Sequence, residues 1–125
     1  MQEINAKIVT KRIISSNIYI PQMLDKNLKL NMKCKAQMKT PKKEGDKSVL
    51  LNTELSVCTK DEKLKMDLVA DIIFVLEKLP EDYNEIAEKK LVPMAQEVLL
   101  DSMDEMLVIM GYKKMELRKR INPNG

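Results

Sequence analysis

The sequence predicts an α+β domain in which a four-stranded antiparallel sheet is covered on one face by a long C-terminal helix. Three observations carry this expectation. Residues 28–39 alternate without a break, with Leu28, Leu30, Met32, Cys34, Ala36 and Met38 apolar and Lys29, Asn31, Lys33, Lys35, Gln37 and Lys39 polar. A period of two is that of an extended strand with one dry and one wet face. Two further alternating segments, 48–59 and 64–77, flank the polar turn Lys60-Asp61-Glu62-Lys63. Beyond Pro93 the apolar spacing changes to that of a helix and stops at Gly111.

A chain of 125 residues with 44% hydrophobic content suits one domain around one core. With 33% charged residues, 3 Gly and 5 Pro, it is neither disordered nor of low complexity. The first strand is expected over residues 3–20. Ile4, Ala6, Ile8, Ile14, Ile18 and Ile20 share one parity, Val9 and Ile13 take the other, and Arg12 interrupts, so a bulge is expected near residues 12–15. Pro21 ends this strand, since proline cannot donate to a ladder, and residues 21–27 connect to the strand at 28–39.

A turn holding Pro41 and Gly45 leads to the third strand, 48–59, with Val49, Leu51, Leu55 and Val57 on one parity. The fourth, 64–77, carries Leu64, Met66, Leu68, Ala70, Ile72, Phe74 and Leu76 together. If Thr59 opposes Leu64, then Val57 meets Met66, Leu55 meets Leu68, Leu51 meets Ile72 and Val49 meets Phe74. A slip of one residue would destroy every match. On the other sheet face lie Leu50, Val69, Ile73 and Val75, joined by Val9 and Ile13, an apolar patch expected to serve as a subunit contact.

Pro80-Glu81-Asp82 opens a helix over about 81–91, with acids suited to the helix dipole. Pro93 is expected to break or kink it, and the main helix runs from 93 to 110. Ala95, Val98, Leu99, Ser102, Met103, Met106, Ile109 and Met110 define the face toward the sheet, with Glu97, Asp101, Asp104 and Glu105 opposite. Leu100 and Leu107 widen the apolar arc to about 200°, where roughly 100° suffices for one core. That surplus calls for a second neighbour. The basic tail, 112–125, offers Met115, Leu117 and Ile121 for docking, and Asn122–Gly125 should fray.

The chemistry-bearing signals are few. There is no histidine, no Cys-x-x-Cys and no glycine-rich phosphate loop, so no catalytic, cofactor-binding or metal-binding residue is expected. Cys34 and Cys58 fall on opposite strand faces and read as free thiols in a reducing cytoplasm. The first twenty residues contain no continuous apolar stretch, and no run is long enough to span a bilayer. The net charge of +3 is modest but uneven, with the lysine face of the second strand offering a phosphate track. Stacking aromatics are scarce, which argues against nucleic acid as a partner. Ten methionines, among them Met94, Met103, Met110 and Met115 at the borders of the helical stripe, suit an adaptable apolar surface. Leu100, Met103, Leu107, Met110, Tyr112 and Met115 are therefore the candidates for an oligomer interface or client groove.

Several stretches resemble the SecB export-chaperone superfamily. Val9-Thr10-Lys11-Arg12-Ile13-Ile14-Ser15 is similar to that family's first strand and Leu28-Lys29-Leu30-Asn31-Met32 to its second. Met66-Asp67-Leu68 through Ile72-Ile73-Phe74 resembles its fourth, and Leu91-Val92-Pro93-Met94-Ala95 the opening of its main helix. The resemblance implies a non-enzymatic, ATP-independent binder of unfolded polypeptide, assembled as a dimer or dimer of dimers, with no cofactor. The family's export chaperone docks its motor ATPase through acidic residues of the first strand, where this sequence has Arg12 and Ser16. Delivery to that motor is not expected. A chaperone dedicated to toxin-linked polypeptides, a scaffold oligomer without clients and an RNA-binding module remain as alternatives.

Overall fold

All four expected strands form: β1 (Ala6–Tyr19), β2 (Asn31–Lys39), β3 (Ser48–Cys58) and β4 (Lys65–Leu76). In the computed structural model, which describes residues 4–21 and 29–121, they form one antiparallel sheet in the order β1-β4-β3-β2. The connection expected at 21–27, Pro21 apart, and the fraying expected of Asn122–Gly125 lie outside the described residues. β3 and β4 pair in the expected register, with Val57 against Met66, Leu55 against Leu68, Leu51 against Ile72 and Val49 against Phe74. The inward residues of these central strands are fully buried, so the core is built on them.

Side-chain oxygens set both hairpin turns. The Asp61 carboxylate accepts from Thr59 Oγ1 at 2.7 Å and from the Lys63 amide at 3.2 Å, around a left-handed Glu62 (φ 57°). Asp46 accepts from the amide of Ser48 at 2.9 Å and from its hydroxyl at 2.5 Å. In each case the bond to the neighbouring hydroxyl is the main cause that holds the carboxyl below its ordinary value of 3.8. A folded-state pKa lower than the unfolded one stabilises the turn above the unfolded value, and this is lost as pH falls through the folded one. Carboxyl NMR titration should therefore place both midpoints below 3.8, with the Ser48 and Lys63 amide signals moving over the same acid window.

β1 departs from a single parity twice. Its register against β4 shifts between Ile8 and Thr10 and again between Ile13 and Ser15. The second shift is the expected bulge; the first was not foreseen. Each extra residue exchanges the strand's faces, so Ala6 and Ile8, then Lys11 and Ile13, then Ser16 and Ile18 oppose the inward residues of β4. Ile13 thus leaves the outer patch for the core side, and Ile14, expected inside, is 52% exposed at its bulge.

The helical layer begins at α1 (Tyr83–Ile86), whose N-cap Asp82 accepts from the amides of Asn84 and Glu85 at 3.0 and 3.3 Å. It continues through a π-helical turn, Ala87–Leu91, directly into α2 (Val92–Ile109). Pro93 therefore does not break the helix. A proline inside an α-helix lacks one donor and its ring meets the carbonyl four residues back. Here the Val92 amide reaches back five residues to the carbonyl of Ala87, so the ladder is already widened where the proline enters.

α2 lies across β3 and β4 and buries Ala95, Leu99, Leu100, Ser102, Met103, Asp104 and Leu107. After a turn at Gly111 (φ 100°) the chain doubles back, and α3 (Leu117–Arg120) packs on α2. The Leu117 amide donates to Asp104 Oδ2 at 3.2 Å, and Arg118 donates to Asp101 at 2.5 Å. Asp104, expected on the wet face, is buried because it receives this segment. Ile109 and Met110, expected against the sheet, are 85% and 50% exposed.

On the inward face of β3, the Thr53 hydroxyl is fully buried and has no hydrogen-bond partner. Leaving such a group unpaired costs about 1–3 kcal/mol. Thr53→Val keeps the shape and removes the polar atom, so it should raise stability by about 1 kcal/mol, read as a higher urea midpoint at constant m.

A half-open groove beside the edge strand

The alternation that marks β2 in the sequence places Met32, Cys34, Ala36 and Met38 on the sheet's inner face, in line with Val57, Leu55, Thr53 and Leu51 of β3. On β3 these inward positions are fully buried. On β2, Met32, Cys34 and Met38 are half-buried and Ala36 is exposed. The cause is the course of α2, which covers the central strands and leaves the inner face of the edge strand partly roofless. A groove of about 280 Å³ results, with Ala36, Met38 and Leu51 as its floor and Asn84, Ala87, Glu88 and Val92 as its far wall. The small side chain of Ala36 fills little of that space.

The groove's electrostatics are simple. Cys34 faces this side, and burial is the main influence on its thiol, raising its pKa against a smaller opposite pull from a hydrogen bond with Gln96. A thiol held protonated is a poor nucleophile. Across the strand, on the outer face, Lys33, Lys35, Gln37 and Lys39 are all exposed. Their partners on β3 are Ser56, Glu54, Asn52 and Leu50, so three lysines face one glutamate. Asp67 and Asp71 on β4 are engaged by Ser56 at 2.6 Å and Asn52 at 2.8 Å. Among the described residues, no group of His, Cys, Asp or Glu converges as a metal site, and no helix is long and apolar enough to cross a membrane.

The expected site residues separate into three groups. Leu100, Met103, Leu107 and Met115 are 5%, 1%, 0% and 9% exposed, enclosed in the chain's own core beside Leu117. They are not groove residues in this structure, because the neighbour required by the wide stripe of α2 is the returning tail. Met110 is exposed at the end of α2, and Tyr112 is half-buried against the core. Leu50, Val69, Ile73 and Val75 all lie on the uncovered outer face of the sheet, with Leu50 and Ile73 directly paired. Sequence reasoning missed the groove around Ala36. Its signal was a small residue in an otherwise bulky parity, on a strand whose other face is lysine-rich.

No protein-family model matches the chain, and no characterised protein matches it by sequence. A solved structure does match: the Mycobacterium tuberculosis SecB-like chaperone Rv1957 in complex with a ChAD peptide from the Rv1956 HigA1 antitoxin. The TM-score is 0.62, and the alignment covers 88% of this chain and 83% of that one at 6% sequence identity. The fold is SecB-like. At that identity the likeness belongs to the backbone. What a SecB-like fold contributes here is the arrangement itself, a helical layer set over the central strands and an edge strand left half covered.

Proposed function

We propose that this chain is a non-enzymatic, ATP-independent binder of unfolded polypeptide segments, and that clients lodge in the groove between β2 and the helical layer. The observation that carries this reading is the open apolar floor at Ala36 and Met38. The SecB-like fold, seen in a chaperone solved with a bound peptide, supports it. Burying an exposed apolar side chain yields about 1.5–3 kcal/mol, so a shallow groove floored by Ala36, Met38 and Leu51 contributes on the order of a few kcal/mol. Association itself costs about 4–15 kcal/mol, so a single groove holds a client only weakly. Weak, multiple contacts suit transient capture of varied chains.

That arithmetic favours assembly, since several grooves on one particle raise the effective concentration of each. We place the self-contact on the uncovered outer sheet face, where Leu50, Ile73 and Val75 are continuous with Val9, 52% exposed at the first bulge of β1. The decisive measurement follows the light scattering of a chemically denatured client diluted into buffer. Near-stoichiometric protein should suppress its aggregation without nucleotide, and multi-angle scattering should give a mass above that of one chain. Unchanged aggregation at a several-fold molar excess sinks the client reading. A single-chain mass sinks the assembly.

A further inference from the structure

The edge of β2 offers more than a floor for apolar side chains. β3 occupies one side of this strand, and among the described residues its other side carries backbone pairing only at its start, where the Leu30 amide donates to the carbonyl of Arg120 at 2.9 Å and Leu30 bridges Ile121 in parallel. The nine residues from Asn31 to Lys39 follow, paired with β3 without a register shift. A straight edge strand presents a row of unpaired amides and carbonyls, the template on which an extended chain can add. At Leu30, one residue before β2, a backbone already lies alongside the chain in this way.

We propose that β2 takes an extended segment of another polypeptide as a fifth strand, and that this segment alternates apolar with acidic residues. The inference deepens the groove reading above and rests on it. Side chains of an added strand alternate between faces, about 4.8 Å from their neighbours on β2. One parity enters the groove beside Met32, Cys34, Ala36 and Met38. The other comes to lie next to Lys33, Lys35, Gln37 and Lys39, whose charge β3 offsets only at Glu54. Opposite charges across a strand pair are favourable and like charges unfavourable, so the lysine row selects acids at alternate positions and rejects lysines there. Backbone pairing supplies affinity that does not depend on the client's sequence, while the two faces supply preference.

The test uses the full chain and synthetic fluorescent peptides of about nine residues, matched to the length of β2. One alternates leucine or valine with glutamate, and a second replaces each glutamate by lysine. The glutamate peptide should bind about tenfold tighter at low salt, and this margin should shrink as salt is raised. In a variant carrying Lys33→Glu, Lys35→Glu and Lys39→Glu together, the order should reverse. Independently of any variant, N-methylating every second backbone amide should weaken binding about tenfold in one phase and little in the other, because successive residues of a strand pair toward opposite edges. Binding with no charge order and no dependence on methylation phase overturns strand addition while leaving groove capture standing. Displacement of the peptide by single-stranded RNA with a steep salt dependence overturns it in favour of a phosphate track. Failure to bind either peptide, together with failure to suppress client aggregation, removes both readings.

Discussion

Leu117→Ala should destabilise the protein by about 2–5 kcal/mol, an effect out of proportion to a residue in a four-residue helix near the end of the chain. Leu117 is fully buried and belongs to the same core cluster as Leu100, Met103 and Leu107. Its removal leaves a cavity against α2 and loosens the segment that covers the helix's surplus apolar arc. Asp104 holds the same segment through the Leu117 amide, while its Oδ1 is buried without a partner. Asp104→Ala should cost about 1–3 kcal/mol, and Asp104→Asn markedly less, since the amide keeps an acceptor and removes a buried charge. The two sites share one contact, so their effects should not add. Ile109→Ala, at an exposed position on the same helix, should stay within about 0.5 kcal/mol. Urea unfolding at constant m decides the matter, and a Leu117→Ala shift no larger than that of Ile109→Ala would refute the tail's covering role.

The second large effect is functional. Ala36→Arg places a long charged side chain across the groove floor at a position that is exposed, so the folded state should change by less than about 0.5 kcal/mol. Client binding should fall by about tenfold or more, because the arginine occupies the volume a client's apolar side chains would use and adds a charge that must stay hydrated. Gln37→Arg, one residue along and on the opposite face, should leave binding of a neutral apolar client nearly unchanged. Anisotropy titrations with such a client, alongside the aggregation assay, separate the two. Equal affinities for the Ala36→Arg and Gln37→Arg proteins would place the site elsewhere.

The fold was legible where one interaction decided the outcome. The β3–β4 register followed from apolar pairing alone, because a strand buried on one face admits no slip. β1 was legible only in part. Its two bulges exchange parity at Val9 and Ile14, and a mixed run of isoleucines reads the same whether one extra residue is present or two. The clearest period-two run marked β2 as a strand but concealed its place. Lysines at alternate positions suit an edge, whereas the strands at the centre show long apolar parities on one face and mixed residues on the other. The wide apolar arc of α2 called for a second neighbour, with the tail and another subunit both eligible, and in this structure Met115 and Leu117 of the tail lie in the same core cluster as Leu100, Met103 and Leu107. Helical periodicity reveals that a face must be covered, but whether another subunit or the same chain covers it depends on a turn at Gly111 and one buried hydrogen bond at Asp104. The groove escaped notice for a related reason. It exists because the helical layer stops short of β2, a matter of packing geometry of which the small Ala36 in a bulky parity is the one local sign.

The contrast between the two rims of the sheet bears on what this molecule can build. One rim, β1, is twice interrupted, and the other, β2, is unbroken along its pairing with β3. Endless fibres need a head and a tail that fit each other, copy after copy. With only one rim fit for pairing, joining through it consumes the fitting surface of both participants, and growth halts at the first union. Pairing through this border alone therefore ends in a pair of copies and not in a fibre.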